Sequence, residues 1–373
     1  MMLIFAKSAY DSGKSFGLSF EEIIFYGTFG FFLFGAASPI AASFARKYSR
    51  SLMLVIYHFG IGFSAIIAGF STDIIQFAIA ISFIGLFAAI YHPVGIAMLI
   101  ESNLKVGFRL GINGVFGNMG VAAAPLVTGI LIAYGNWRIS FIVPGVFCIG
   151  YGVVFLTSLK EEISMKTAKL KARKNEMAPS WERALLALVF STLSGGFIFG
   201  GVTFLIPRYF EVAMQNISTS IVVTGLLASL VYSMASFSQV IVGWSVDRYS
   251  PRKILLLMGF GQMIFIFLAS QYNDYILIFV MLMAMTFVFG QIPITDTIIS
   301  RFVPDRLRDR ILSWKFLLNL VVGATVLPIC SFVLRSGFNI SSIFIMMSMI
   351  ATCILIAAII LPNQPNHQRV DLA

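Results

Sequence analysis

The chain has 373 residues, of which 58% are hydrophobic and only 11% are charged, whereas a soluble domain has about 25% charged residues. So few charges cannot cover a water-facing surface, which argues against a soluble enzyme. The net charge of +10 does not indicate a nucleic-acid-binding protein, because Lys and Arg lie in short breaks between apolar runs rather than on one solvated face.

Eleven runs along the chain have the length and apolarity of membrane spans, since a helix needs about 20 mostly apolar residues to cross the hydrocarbon core. The runs are apolar on every face, which excludes bilayer-spanning strands. The predicted class is therefore all-α, a polytopic membrane protein. The predicted spans cover residues 23–44, 51–70, 74–100, 111–133, 139–159, 184–207, 219–244, 254–271, 274–299, 313–335 and 338–361.

The segment before the first predicted span contains a stretch of five or six apolar residues, which is too short to cross a bilayer. We predict that it is the end of one membrane helix, followed by an outer loop and the start of the next helix. A truncated or misassigned start is expected from this pattern.

Lys and Arg are concentrated in alternate connections between the predicted spans, which hold 19 of the 26 basic residues, against 3 in the other connections. Cytoplasmic connections are enriched in these residues, so the first set and the tail 362–373 are predicted to be cytoplasmic. The longest connection, 160–183, is predicted to be a cytoplasmic linker. It separates an N-terminal bundle, 1–159, with five spans and a stub, from a C-terminal bundle, 184–361, with six.

The two bundles are predicted to be repeats of one another. Three landmarks recur in the same order at an offset of about 200 residues: KYSRSLML and RYSPRKILL, IYHPVG and GQIPIT, and the pairs Gly120–Pro125 and Gly323–Pro328. Duplicated bundles that rock about a central site are a common plan among transporters. The repeat therefore indicates two pseudo-symmetric bundles and a transport function.

Three motifs resemble the major facilitator superfamily. GWSVDRYSPRK, residues 243–253, is similar to the signature loop of that family. YHPVGIAM followed by GINGVFGNMGVAAAP is similar to its bacterial branch that contains fosmidomycin-resistance-type exporters. The run from Gly111 through Gly120 and Pro125 to Gly129 resembles the fifth-helix antiporter motif of the family. It differs at Ala124 and Thr128, where glycine is usual.

This resemblance implies two six-helix bundles, and the count of five plus six predicted spans suggests that most of the first helix is missing here. It implies a secondary active transporter in a bacterial inner membrane that works by alternating access, with export favoured over uptake. The sequence has no Gly-rich phosphate loop ending in Lys-Ser or Lys-Thr, which argues against an ATP-driven pump and leaves coupling to an ion gradient. The proton is the expected coupling ion. The alternative is a truncated, non-transporting membrane remnant or scaffold.

The expected partners are a small-molecule substrate, the proton and the lipid bilayer, with no nucleic acid, and the chain is expected to be a monomer. No cluster of His, Cys and carboxylate residues has the spacing of metal ligands. We therefore expect neither a metal site nor a cofactor.

An inner gate is implied by the resemblance at Asp247, an acid that in the family bridges to the other bundle. The predicted inner-gate loop also contains Gly243, Arg248 and Arg252. The equivalent loop of the first half has Arg46 where an acid is expected. We hypothesise a charge exchange in which Arg46 or Lys47 faces Asp305 or Asp309.

Ionisable residues inside predicted spans are candidates for the solute or proton pathway, because they are costly at membrane depth unless they are paired or line a wet cavity. His92 follows Tyr91 and either carries a proton, hydrogen-bonds an anionic solute, or is a neutral histidine bonded to a facing helix. Pro93 frees the backbone carbonyl one turn earlier. Gln291, the equivalent of Tyr91 in the second half, is expected to face His92 across the cavity.

Asp296 lies near the inner end of its predicted span, where it is either a proton-coupling carboxylate or a locally paired residue. Three further polar residues lie within or at the edge of apolar runs: Asn118, Asn319 and Gln239. Such residues either line the path or join helices to one another. The sequence alone does not sort them.

Overall fold

The computed structural model describes residues 1–101, 106–158 and 177–363, and every regular element in these ranges is an α-helix. The helices of the N-terminal half are α1 Met2–Ser15, α2 Phe20–Tyr26, α3 Thr28–Ala36, α4 Ser38–Lys47, α5 Arg50–Phe70, α6 Ile74–Ala88, α7 Tyr91–Glu101, α8 Val106–Tyr134 and α9 Ile139–Ser158. Those of the C-terminal half are α10 Trp181–Ala213, α11 Ile221–Ser236, α12 Ser238–Arg248, α13 Pro251–Ala269, α14 Tyr275–Gly290, α15 Ile292–Phe302, α16 Asp305–Arg335 and α17 Ile340–Ile360.

Eleven helical segments in the described ranges are long and apolar enough to cross a membrane. The predicted number of spans and the all-α class are therefore confirmed. Several spans consist of two or three helices in succession; one runs from Phe20 to Ala45 through α2, α3 and α4. The helix ends alternate between two ends of the molecule. We call the end that holds Lys47, Arg248 and Arg301 the basic end, and the other end the opposite end.

Several helices extend beyond the apolar runs from which they were predicted. α8 begins at Val106 rather than at 111, and α16 begins at Asp305 rather than at 313. Polar turns continue these helices, and apolarity alone does not mark such turns. α10 begins at Trp181, so the end of the predicted linker, 181–183, is helical. Residues 159–176 and 364–373 lie outside the described ranges.

The repeat predicted from the sequence recurs in the helix breaks and in the packing. The breaks at Ala37 and Phe237 are 200 residues apart, since α3 ends before the first and α11 ends before the second. Glycines in equivalent positions pack on equivalent rings: a Cβ at Gly60 would lie 2.3 Å from Phe87, and a Cβ at Gly261 would lie 2.4 Å from Phe287. The two halves therefore share one packing plan.

The N-terminal helix α1 is longer than the predicted stub, because polar residues continue it past the apolar stretch. Its 14 residues end at Ser15, and Trp137 donates a hydrogen bond to the Ser15 hydroxyl at 2.8 Å. A capping box between Ser19 and Glu22 starts α2. The predicted turn between two helices is thus present at the opposite end.

Helices α3 and α6 approach each other so closely that glycine is required on both. A Cβ at Gly85 would lie 1.9 Å from the carbonyl oxygen of Gly30, whereas a Cβ at Gly150, on the exposed face of α9, would meet nothing within 4 Å. Small residues of this kind let membrane helices pack backbone to backbone.

We predict that Gly85→Ala destabilises the protein, because the added methyl group forces α3 and α6 apart at a cost of about 1–3 kcal/mol. The measurement is the apparent melting temperature of the detergent-purified chain. Gly150→Ala is the control and should change stability by about 0.5 kcal/mol or less. Equal melting temperatures for the two variants would contradict this packing.

Candidate functional site

The two halves meet along α8 and α11, which run antiparallel. A Cβ at Gly129 would lie 2.8 Å from the Ile221 carbonyl oxygen, and a Cβ at Gly225 would lie 2.5 Å from the Pro125 carbonyl oxygen. Two residues of the fifth-helix motif, Pro125 and Gly129, therefore form the inter-half contact. Gly120 does not, because a Cβ there would meet nothing within 4 Å. The surroundings of Gly111 lie outside the described part of the chain.

A second inter-half contact joins α2 and α3 to α16. A Cβ at Gly35 would lie 2.7 Å from the Leu320 Cβ. Nearer the opposite end, the Ser331 hydroxyl donates a hydrogen bond to the Glu21 carbonyl oxygen at 2.6 Å. Helices on both sides of the molecule thus hold the halves together.

Three buried or partly buried aromatic rings fill the space between the halves towards the opposite end. Phe204 of α10 lies 6.0 Å from Phe5 of α1 and 5.8 Å from Phe31 of α3, measured between ring centroids. Phe5 and Phe204 are fully buried. These rings close the opposite end with an apolar layer.

A polar layer lies beside the aromatic one. The Lys7 Nζ donates to Glu211 Oε1 at 2.5 Å and to Thr224 Oγ1 at 2.9 Å, and Arg208 Nη1 donates to Glu211 Oε2 at 3.0 Å. Sequence reasoning missed these residues, because Lys7 fell in the predicted stub and Arg208 and Glu211 fell just past a span that was predicted to end at 207. The flanking apolar residues Phe5 and Ala6 were the available signal that Lys7 is buried.

His92 lies at the junction of the halves, within a group of rings that we call the central cluster. Its ring centroid is 5.6 Å from that of Phe34, 5.9 Å from that of Tyr91 and 6.5 Å from that of Phe316. Phe316 belongs to the C-terminal half, and its ring is stacked on the imidazole. The Tyr91 hydroxyl donates to Asn113 Oδ1 at 3.0 Å. The cluster therefore presents stacking surfaces and polar groups together.

The membrane-spanning helix is interrupted just before His92, as the proline at position 93 predicts. α6 ends at Ala88 and α7 begins at Tyr91. The Ala89 carbonyl oxygen, one turn before Pro93, accepts a hydrogen bond from the Ser38 hydroxyl at 3.3 Å instead of from the proline, which has no N–H. The freed carbonyl was correctly predicted. The break places His92 at the start of a helix rather than in its middle.

The expectation that Gln291 faces His92 is wrong. Gln291 Nε2 donates to the Ser191 carbonyl and hydroxyl oxygens at 3.0 and 2.8 Å, and Gln291 Oε1 accepts from Gln262 Nε2 at 2.8 Å. These partners lie on α10 and α13 of the same half. The Gln291 amide therefore joins helices within the C-terminal bundle.

Asp296 is paired, with a partner on the next helix. Lys315 Nζ lies 2.6 Å from Asp296 Oδ1; the Lys315 side chain is 8% exposed and that of Asp296 is 47% exposed. Lys315 also stands over the ring of Phe316, at 5.1 Å from its centroid. The pair thus adjoins the central cluster, and its carboxylate is the more exposed partner.

The remaining polar candidates fall in different places. Asn118 is buried, and its Nδ2 has no hydrogen-bond partner in the described part of the chain, so it is an available donor. Asn319 packs against Gly196 of its own half, since a Cβ at Gly196 would lie 2.9 Å from Asn319 Oδ1. Gln239 extends to the N-terminal half, where a Cβ at Gly114 of α8 would lie 3.2 Å from Gln239 Oε1.

The residues predicted as an inner-gate loop are mostly helical. Gly243 and Arg248 belong to α12, and Arg252 belongs to α13, which leaves two residues between these helices. Arg248 lies over the ring of Trp244, at 3.9 Å from the centroid. The side chains in the proposed gate and charge exchange lie outside the described part of the structure: Arg46, Asp247, Asp305 and Asp309. Among the described residues no group of His, Cys, Asp and Glu has the arrangement of a metal site.

Two repeated helical bundles that enclose a shared cluster of polar and aromatic groups are an architecture on which many membrane transporters are built. A family model of the Major Facilitator Superfamily matches residues 1–218 and, again, residues 210–372. The chain belongs to this superfamily.

Sequence relatives agree with this assignment. Over 231 residues the chain is 28% identical to the multidrug resistance protein MdtG of Escherichia coli strain K12 / DH10B. The alignment covers 60% of this chain and 56% of MdtG, so the match spans about half the length of this relative.

Solved structures share the fold. A bacterial homologue of the human lysosomal transporter Spinster, in an inward-facing and occupied conformation, matches with a TM-score of 0.75 at 14% identity, covering 96% of this chain and 92% of that one. A D-xylose–proton symporter matches with a TM-score of 0.74 at 13% identity, covering 98% and 95%. At these identities the likeness is one of fold.

We predict that the two partners of the Asp296–Lys315 pair respond unequally to neutralisation. Asp296→Asn leaves a buried ammonium without its counter-ion and should lower stability by about 1–3 kcal/mol. Lys315→Met leaves a half-exposed carboxylate without its counter-ion and should cost about 1 kcal/mol or less. Thermal unfolding of both purified variants checks this order, and the reverse order would contradict the burial of Lys315.

Proposed function

We propose that the chain is a secondary active transporter that exports a small solute or drug by alternating access, driven by protons. The observation that carries this proposal is the position of the central cluster, which lies between two repeated bundles and beside the helix break at Ala89. Helix breaks of this kind accompany binding sites in transporters because they free backbone polar groups.

The central cluster supports a solute with a planar or apolar part and a hydrogen-bonding group. Phe34 and Phe316 supply stacking surfaces from opposite halves, and Tyr91 with Asn113 supplies a polar edge. The name of the relative MdtG, a multidrug resistance protein, supports a drug-like solute. A solute that touches both halves can bias the equilibrium between their two arrangements, because its affinity for the two differs.

The proposal includes an orientation in the membrane. The basic end faces the cytoplasm, together with the C-terminus, since cytoplasmic connections are enriched in Lys and Arg. The opposite end then faces the outside of a bacterial inner membrane. One chain supplies both halves of the interface, so a monomer is the proposed working unit.

The test begins with a growth screen of an expressing strain against antibiotics and metabolites, which identifies a solute. Everted membrane vesicles with a pH-sensitive dye then report whether that solute moves protons. Solute-dependent proton release supports export by exchange. Membrane insertion with neither protection in the screen nor proton movement would favour the non-transporting remnant.

We predict that His92→Ala lowers the transport rate at subsaturating solute by about tenfold, the equivalent of about 1.4 kcal/mol of binding free energy, because it removes the ring that contacts both Phe34 and Phe316. His58→Ala is the matched control, since the His58 ring contacts Tyr57 and Tyr151 of its own half. If His92→Ala transports at the wild-type rate with unchanged pH dependence, His92 does not belong to the site.

A further inference from the structure

A polar cavity opens at the opposite end of the C-terminal half, apart from the central cluster. Its volume is about 390 Å³. Its walls are the end of α10 with the residues just after it, the connection between α13 and α14, and the start of α17. All three walls belong to one half, so a ligand in this cavity would not bridge the two halves.

Hydrogen bonds hold the three walls together. The Tyr209 hydroxyl of α10 donates to the Ala269 carbonyl oxygen at the end of α13 at 2.8 Å, and it lies 3.2 Å from the Ser341 hydroxyl oxygen of α17. Asn339 caps α17, since its Oδ1 accepts from the Ser342 N–H at 2.9 Å. The cavity is therefore formed before any ligand arrives, which reduces the entropy cost of binding.

The repeat identifies the place in the N-terminal half that corresponds to this cavity. Asp73 caps α6 as Asp274 caps α14, and Asn136 caps α9 as Asn339 caps α17. The members of each pair are about 200 residues apart, which is the offset of the repeat. The corresponding place therefore lies between the end of α1, the connection between α5 and α6, and the start of α9.

Aromatic rings fill this place in the N-terminal half. Phe16, just after α1, lies 5.6 Å from Phe77 and 5.4 Å from Trp137, measured between ring centroids. Phe77 and Trp137 are buried. The C-terminal half instead has amides after α10, and it has Ile340 in the place of Trp137. An open cavity is therefore not a requirement of the fold, because the same corner of the other half is packed.

Amide side chains dominate the polar lining of the cavity. The lining amides are Gln215, Asn216, Gln271, Asn273 and Asn339. The side chains of Gln215, Asn216 and Asn273 make no hydrogen bond to another described residue, so their groups are available. Each amide offers both N–H donors and an acceptor oxygen. None of the described residues that line the cavity carries a charge.

These groups define the chemistry of a ligand. A charged ligand would meet no counter-charge here, and the nearby Asp274 carboxylate is turned to the Ile276 N–H at 2.9 Å. A ligand rich in hydroxyl groups can both donate to amides and accept from them. The half-buried Tyr272 adds a ring with an apolar face. The volume is near the lower end of the range of about 300–1,000 Å³ for ligand pockets, which suits a small sugar.

We propose that this cavity is a binding site for a neutral sugar, either free or as the headgroup of a lipid. The site lies outside the central cluster, so its ligand is not the transported solute. Because the ligand touches three elements of one half, it stabilises the packing of that half by mass action. The proposal does not depend on the proposed function.

Binding is tested by saturation-transfer difference NMR on the full chain in phospholipid nanodiscs, which avoids detergents with sugar headgroups. The probes are glucose and maltose, with glucuronate and glucosamine as charged relatives, each at about five times a Kd of about 1 mM. Both neutral sugars should receive saturation from the protein, and the charged ones should receive little. No signal from either neutral sugar would overturn the proposal, and so would equal signals from glucose and glucuronate.

Variants then place the sugar in the cavity. Asn273→Ala removes one amide and should weaken binding by about threefold to tenfold. Asn216→Phe puts a ring into the cavity, as Phe16 does in the other half, and should abolish binding. Gln76→Ala is the matched control, since Gln76 is an exposed amide of α6 outside the cavity, and it should bind as the wild type does. Wild-type binding in both Asn273→Ala and Asn216→Phe would overturn the site.

A second set of nanodiscs distinguishes the two sources of the sugar. These nanodiscs contain a diacylglycerol lipid with a diglucosyl headgroup. Loss of the maltose signal in them identifies the lipid headgroup as the stronger ligand, whereas an unchanged signal identifies the free sugar. No transported solute enters either measurement. Absence of proton-driven transport would therefore contradict the proposed function and leave this site to be decided by the NMR signals alone.

Discussion

An ammonium group is unfavourable away from water unless a carboxylate accompanies it, and Lys7 is buried with its carboxylate on the other half of the molecule. This pair can exist only where α1 lies against α10. The rings of Phe5 and Phe204 pack beside it, and the close approach of α8 to α11 continues the same interface. The ion pair and the apolar layer together determine how the halves meet at this end.

The central cluster depends on this arrangement, because His92 and Phe316 come from different halves. A change in the angle between the halves alters their stacking. The break before Tyr91 places the imidazole at a helix start, and the Asp296–Lys315 pair adjoins the cluster on the other side. In the transport cycle that we propose, a solute held here senses the rigid-body motion of the two halves.

Composition and apolar runs were sufficient to predict the all-α class and the number of spans. Sequence motifs that recur about 200 residues apart predicted the repeat, and the helix breaks at Ala37 and Phe237 show the same offset. Side-chain partners were harder to predict. Gln291 was placed opposite His92 because repeat symmetry gives a position but not the direction of a side chain. The Lys7–Glu211 pair joins residues 204 positions apart, beyond any local pattern.

The central claim is that the halves move as rigid bodies about the central cluster, so that one end opens as the other closes. Spin-label distances test it most directly, with one label pair at the opposite end, Thr72 and Asn273, and another at the basic end, Tyr48 and Tyr249, all exposed positions. When the pH is lowered from about 8 to about 5, the distance at the opposite end should lengthen and the distance at the basic end should shorten. Two distances that stay unchanged, or that change in the same direction, would contradict the account.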